Sequence, residues 1–273
     1  GYDVLIDVMY GRAIAHDVQL VPLVQLLIQH GAELNTISDH SESALSVSSD
    51  NGRFDVVRLL LDAGADPAPL QWTPLMRAIA LQSLSDVQQQ LSERPDLMAR
   101  DFWSRTPWLL SLQTGDVAKA KLLLAAGADR TDRGRCEKPP LMYPVINGHT
   151  AMLRWLLSEG FLPDDADEFQ HTALMAAAER GETACAAILI ESGANIARAY
   201  HTGARAISLA GNLEIVRLLQ RRGADLNDIS REMRRLLTRL PRHKRLSVST
   251  EEYQAGKHRC FGTSNPEKMN VPF

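Results

Sequence analysis

The sequence predicts an all-α solenoid of stacked helix–turn–helix units, on three observations. A Gly-Ala pair closes an apolar run at Gly31, Gly64, Gly127, Gly193 and Gly223, and Gly160-Phe161 falls in the same series. The step is 33 residues from Gly31 to Gly64 and again from Gly127 through Gly160 to Gly193. Twenty-one residues before Gly64, Arg94, Gly127, Gly160, Gly193 and Gly223 stands an opening triplet: Ser43-Ala44-Leu45, Thr73-Pro74-Leu75, Thr106-Pro107-Trp108, Pro139-Pro140-Leu141, Thr172-Ala173-Leu174 and Thr202-Gly203-Ala204. Nine residues after each opening come Gly52, Gln82, Gly115, Gly148, Gly181 and Gly211. A fixed period of this length is the mark of a repeat architecture.

Each element has a physical reason. Ser or Thr at the opening accepts a hydrogen bond from free amides and so caps a first helix. Pro beside it suits the first helical turn, where no donor is needed. Gly nine residues on ends that helix by reaching the left-handed conformation without strain. A second helix follows, with apolar residues at helical spacing such as Val56, Val57, Leu59 and Leu60, or Ile188 and Leu189. A single hairpin cannot bury its apolar face alone, so neighbours must stack. The third unit departs most: Arg94 takes the closing position, and Gln89 and Gln90 replace the apolar doublet, which predicts the weakest link.

These markers resemble the ankyrin repeat family, whose unit is a turn plus two helices with a Thr-Pro-Leu-His-like opening. The resemblance covers about residues 4–228, roughly seven units, and includes Gly64-Ala65-Asp66, Gly127-Ala128-Asp129 and Gly223-Ala224-Asp225. The family's His is absent: Ser46, Met76, Leu109, Met142, Met175 and Arg205 stand there. That His ties turns of adjacent repeats, so turn-to-turn bonding is open. The resemblance implies an ankyrin-repeat solenoid with projecting hairpin loops over residues 1–228. A capping helix is expected over 229–245, with Met233, Leu236, Leu237 and Leu240 on one side, and an irregular tail over 246–273. Gly1 and Val271-Pro272-Phe273 are expected to be trimmed ends.

Composition narrows the function. A net charge of −3 gives no global attraction to nucleic acid or membrane. Cys136, Cys185 and Cys260 form no pairing or metal pattern, which fits a reducing, cytoplasmic location. No apolar run reaches the roughly 18 residues a membrane span needs. Nucleotide loops, nucleophile elbows and zinc motifs are absent, so the chain is expected to be non-catalytic, without cofactor or metal. The acidic run Asp164, Asp165, Asp167 and Glu168 lacks calcium-loop spacing and is expected to be a solvated turn. One basic stretch, from Arg221 through Arg231, Arg234, Arg235 and Arg239 to Arg245, is expected to be a solvated cap face.

The hairpin tips carry the functional signal. Tips should be small and polar, yet they hold His40, Trp72, Phe102, Trp103, Phe169, His171, Tyr200 and His201. Aromatic residues are enriched at interface hot spots. Polar positions of the first helices add Arg77, Gln113, Tyr143, Glu179 and Arg180 as candidate contacts. Trp108 and Trp155 occupy apolar marker positions and are expected in the core. The reading is a monomeric scaffold gripping a protein partner through its concave face and tips. By analogy with degenerate bacterial arrays, the favoured partner is a toxin that the chain neutralises. The alternatives are an adaptor or effector aimed at a cellular or host protein, and the binding module of a larger enzyme.

Overall fold

The computed structural model describes residues 3–10 and 17–239. Over these it is helical, with two isolated β-bridges and no strand among the described residues. Six units are helical hairpins: α1 (Val4–Asp7) with α2 (Leu20–Gln29), α3 (Ala44–Asp50) with α4 (Phe54–Asp62), α5 (Pro74–Leu81) with α6 (Leu84–Ser92), α7 (Pro107–Thr114) with α8 (Val117–Ala125), α9 (Met142–Ile146) with α10 (Thr150–Ser158), and α11 (Ala173–Arg180) with α12 (Thr183–Glu191). The seventh has only α13 (Leu213–Arg221), and α14 (Arg231–Arg239) follows with Met233 buried. The irregular tail expected over 246–273 and the basic residues Arg242, Lys244 and Arg245 lie outside the described residues.

The openings act as caps. The hydroxyls of Ser43, Thr73, Thr106 and Thr172 accept from the amides of Ser46, Met76, Leu109 and Met175. Two openings fail. Pro139-Pro140 supplies no hydroxyl, and α9 is a short helix without a side-chain cap. Thr202 caps no helix, because Gly203 at φ 83° turns the chain where a first helical turn would form, and 206–209 fold as a turn and a bend. The first unit, which lacks the opening motif, starts instead from Asp3, whose carboxylate accepts from Leu5 N at 2.6 Å.

First helices α5, α7, α9 and α11 pack in one row, and second helices α6, α8, α10, α12 and α13 in another. Along the second helices, Leu60, Leu123, Leu156, Leu189 and Leu219 are buried at one equivalent position, four residues before the closing Gly. Gln90 holds that position in α6 and is half-buried, whereas its neighbour Gln89 is exposed. The expectation that both glutamines sit in the core is corrected: only one faces it. Arg94 adopts φ 53° in place of the closing Gly. Gln90→Leu is expected to raise stability by about 1 kcal/mol through added apolar burial, and Gln89→Leu to leave it unchanged. Equal urea midpoints for the two variants would show that the register is wrong.

The third unit is compensated from outside. Gln82 replaces the Gly at the end of α5 and is extended. Lys119 of α8 reaches across, donating its ammonium to Ile79 O at 2.8 Å and Gln82 O at 2.7 Å. A cation at a helix C-terminus satisfies free carbonyls and the dipole together.

Arginines replace the missing His between turns. Arg100 donates to Ser104 O in its own turn and to Arg133 O in the next; Arg133 repeats this with Glu137 O and Ala166 O. Neighbouring tips also bond directly, Phe102 N to Leu70 O, Glu168 N to Cys136 O and His201 N to Phe169 O, all within 3.1–3.2 Å. The acidic run is part of this frame: Asp165 pairs with Arg133 at 2.5 Å, and Asp167 accepts from the amides of Phe169 and His171.

At larger scale the buried apolar residues divide into two clusters. Leu5 to Leu70 form one buried apolar cluster and Leu75 to Met233 another, with Trp72 packed against both. α3 packs on α4, α1 and the 68–70 turn, not in line with the α5–α11 row.

Candidate functional site

The tips divide into two groups. In the third and fourth units they turn inward. Trp72 is half-buried and donates its indole N–H to Asp101 at 3.3 Å. Phe102 lies edge-on to Trp103, 5.1 Å between centroids. Trp103 is half-buried and donates its indole N–H to Ser46 O of α3 at 2.6 Å. Beside it lies a buried charge network. Arg105 is 1% exposed and forks onto Asp101 Oδ2 through Nε at 2.8 Å and Nη2 at 2.6 Å. Its Nη1 donates to Ser49 O at 2.9 Å and Gln113 Oε1 at 2.6 Å.

These contacts cross the array. Gln113 Nε2 donates to Asp50 O at 2.6 Å, and Asn147 Nδ2 to Asn51 O at 2.7 Å. The last turn of α3 is therefore held by side chains of the fourth and fifth units, far along the sequence. Gln113 and Tyr143 are each 3% exposed, which corrects the expectation that they face outward. Burial pushes the Tyr143 phenol well above its ordinary pKa, so it stays a neutral hydroxyl. A cleft of about 420 Å³ remains where the first block meets the array, bordered by Tyr10, Val47, Asp50, Trp103, Glu179 and Arg180.

In the sixth and seventh units Phe169 and His201 turn outward, whereas His171 and Tyr200 are half-buried, Tyr200 packed against the main core. Phe169 is 41% exposed. Its ring lies 5.7 Å from His201, which lies 4.0 Å from Tyr200, which meets His171 edge-on at 5.5 Å. Tips closed by equivalent backbone bonds, Asp167 N to His171 O and Tyr200 N to Ala204 O, bring the four rings together. Burial holds the His171 pKa below the usual 6.5, outweighing Asp167 and Glu179, so the ring is neutral at neutral pH. Glu179 stands 3.9 Å from it and Arg180 borders the cleft. His40 and Arg77 are exposed, apart from this cluster. Among the described residues no three His, Cys, Asp or Glu side chains converge as a metal site requires, and no helix is long and apolar enough to cross a membrane.

Sequence reasoning missed the Arg105 network and Lys119. Asp101 and Arg105 stand four apart around a tip Trp, a visible signal, but nothing in the period said that they face another unit.

Known proteins complete the comparison. The family model of ankyrin repeats in three copies matches residues 12–101 and 161–230, together more than half of the chain. The ankyrin repeat and KH domain-containing protein mask-1 of Caenorhabditis elegans is 28% identical over 219 residues, 76% of this chain and 8% of that protein. The transient receptor potential cation channel subfamily A member 1 homolog of the same organism is 24% identical, over 62% of this chain and 14% of its own length. The chain thus spans a small fraction of these relatives. Among solved structures, the ankyrin repeat domain of Bcl-3 is 24% identical, covering 81% of this chain and 99% of its own, at a TM-score of 0.48.

Proposed function

Because this chain belongs to the ankyrin repeat family, we propose that it is a non-catalytic scaffold binding a partner protein through the tips of its sixth and seventh units. Ankyrin repeat domains generally mediate protein–protein interaction. The observation that carries the assignment is the cluster of Phe169, His171, Tyr200 and His201, four rings in mutual contact on consecutive turns, with Phe169 41% exposed. Turns need no large apolar groups, and rings fixed by ring contacts lose little entropy when a partner covers them. Glu179 and Arg180 supply the polar rim, and His40 and Arg77 are outlying contacts. The inward tips Trp72, Phe102 and Trp103 serve the fold.

Phe169→Ala and Tyr200→Ala are each expected to weaken partner binding about tenfold or more, roughly 1.4 kcal/mol, and Phe169→Ala, at an exposed ring, to leave the melting temperature nearly unchanged. Trp103→Ala is expected to lower the melting temperature instead. Affinity measurements on a pulled-down partner decide the matter, and normal binding by both tip variants would refute this assignment. Within this class the partner we favour is a toxin that the chain neutralises in the cytoplasm. Its support is the family analogy with degenerate stand-alone arrays. Rescue of cells from the product of a neighbouring toxin gene supports it; a cellular or host protein recovered instead makes the chain an adaptor or effector.

A further inference from the structure

The tips of the fourth and sixth units are built alike, two steps of 33 residues apart. Asp101 N donates to Arg105 O and Asp167 N to His171 O, each at 3.0 Å. Asp101 Oδ1 accepts from Trp103 N at 3.0 Å and Arg105 N at 2.8 Å, and Asp167 Oδ1 from Phe169 N at 2.9 Å and His171 N at 2.8 Å. The same step carries Gln113 of α7 onto Glu179 of α11. The fourth unit shows what this frame holds: the Arg105 guanidinium lies between Asp101 Oδ2 and Gln113 Oε1, at 2.6 Å from each.

In the sixth unit the guanidinium is missing and its surroundings are more acidic. His171 stands for Arg105, and Glu179 for Gln113. The imidazole is neutral at neutral pH and stops 3.9 Å from Glu179 Oε2. Among the described residues no Lys or Arg pairs with Asp167 or Glu179, whereas Asp101, Asp132, Asp165 and Asp228 each have an arginine. The nearby cations are turned elsewhere. Lys138 lies over the Tyr143 ring, and Arg198 donates to Asp164 O and Gln170 Oε1. Arg180 follows Glu179 directly on α11, and consecutive helix side chains do not face each other.

The position is open and set against rings. The Glu179 side chain is 46% exposed and Phe169 41%. Asp167 and Glu179 both act on the His171 ring and the Tyr200 phenol, which places both carboxylates at the ring cluster. Residues 161–193 carry seven carboxylates and one arginine, a net −6 against −3 for the whole chain. Carboxylates beside aromatic faces suit a guanidinium above other groups, since its planar fork spans two acceptors and stacks on a ring.

We propose that Asp167, Glu179 and the Phe169 ring form a site for an arginine side chain of the partner protein, whose guanidinium takes the place that Arg105 fills in the fourth unit. This rests on the reading that the tips of the sixth and seventh units bind the partner, and it names the group they bind.

The test uses the full chain, N-acetyl-arginine amide as probe and the aromatic ring signals in NMR. Wild type is expected to show saturable shifts of the Phe169 and His171 rings. The lysine analogue should bind several-fold more weakly, and the neutral citrulline analogue should cause no shift. Glu179→Gln and Asp167→Asn, which keep size and remove charge, should each weaken probe binding by about tenfold or more. Glu191→Gln, which removes a carboxylate of the same unit on α12, should leave it unchanged. His171→Arg should supply the guanidinium from within, raising the melting temperature and abolishing probe binding. Equal binding of the citrulline or lysine analogue, equal losses in Glu179→Gln and Glu191→Gln, or undiminished binding by His171→Arg overturns the proposal. Should Asp167→Asn fail to fold, Glu179→Gln and His171→Arg decide alone. The pulled-down partner separates this site from the reading beneath it. A partner that needs Phe169 and Tyr200 but binds His171→Arg normally refutes the arginine site and leaves the tips standing. A partner indifferent to Phe169→Ala and Tyr200→Ala, with the probe bound as expected, refutes the tip reading while the guanidinium site stands.

Discussion

Arg105→Ala should cost about 3–5 kcal/mol, because it removes one partner of a buried ion pair and leaves the other without its counter-charge. The Asp101 side chain is fully buried, and the pair is 2.6 Å apart. After the substitution Asp101 still accepts from Trp103 N, Arg105 N and Trp72 Nε1, so its carboxylate is not bare. What it loses is the one cation paired with it among the described residues, while Gln113 Oε1 and Ser49 lose a donor. Arg105→Lys should recover only part of the loss, since an ammonium cannot span Asp101, Ser49 and Gln113 as a planar fork does. The contrast is Arg205→Ala. Its pair with Asp228 is 43% and 33% exposed and should cost under about 1 kcal/mol. Urea unfolding followed by circular dichroism measures both. Hydrogen exchange should show protection lost first in α3 and α4, which this network ties to the array. Equal midpoints for the Arg105 and Arg205 variants would sink the argument.

The period, the caps and the second-helix stripe were legible because each is local. Thr73, Thr106 and Thr172 each cap the helix beginning at the next residue, and a hydroxyl needs nothing distant to do so. Where a local rule was broken, the neighbours repaired it: Lys119 caps α5 for the missing Gly, and Arg100 and Arg133 tie turns for the missing His. The arginines stand 33 residues apart and could have been found from the period alone. The break between Leu70 and Leu75 could not. The same repeat markers run through it, and the bend that brings α3 against Gln113 depends on contacts between residues 63 apart. For that reason the tip aromatics looked equivalent in sequence, yet Trp103 faces the chain's own backbone and Phe169 faces solvent.

Trp108→Ala should cost about 3–5 kcal/mol through the cavity it leaves. Trp108 is 1% exposed on α7, where the family places a Leu after Thr-Pro. Its indole fills the space between the rows of first and second helices. Trp155 meets it edge-on at 6.2 Å, and Phe161 stacks on it at 6.5 Å with 29° between planes. Phe161 stands where the other units carry Ala after the closing Gly, so the large ring in one unit is matched by a large ring in the next. Trp155, expected in the core, lies at its margin and sends its N–H to Glu159 at 3.0 Å. The Trp108 N–H finds no acceptor among the described residues. A buried donor without a partner is itself unfavourable, which separates two substitutions. Trp108→Phe keeps most of the ring contact and removes the orphaned N–H, so it should cost under about 1.5 kcal/mol. Trp108→Ala removes the whole ring, and the helix rows cannot collapse onto the gap while Trp155 and Phe161 hold them apart. Thermal unfolding of the two variants gives the ordering. A phenylalanine variant as unstable as the alanine variant would mean that the indole N–H is bonded in solution.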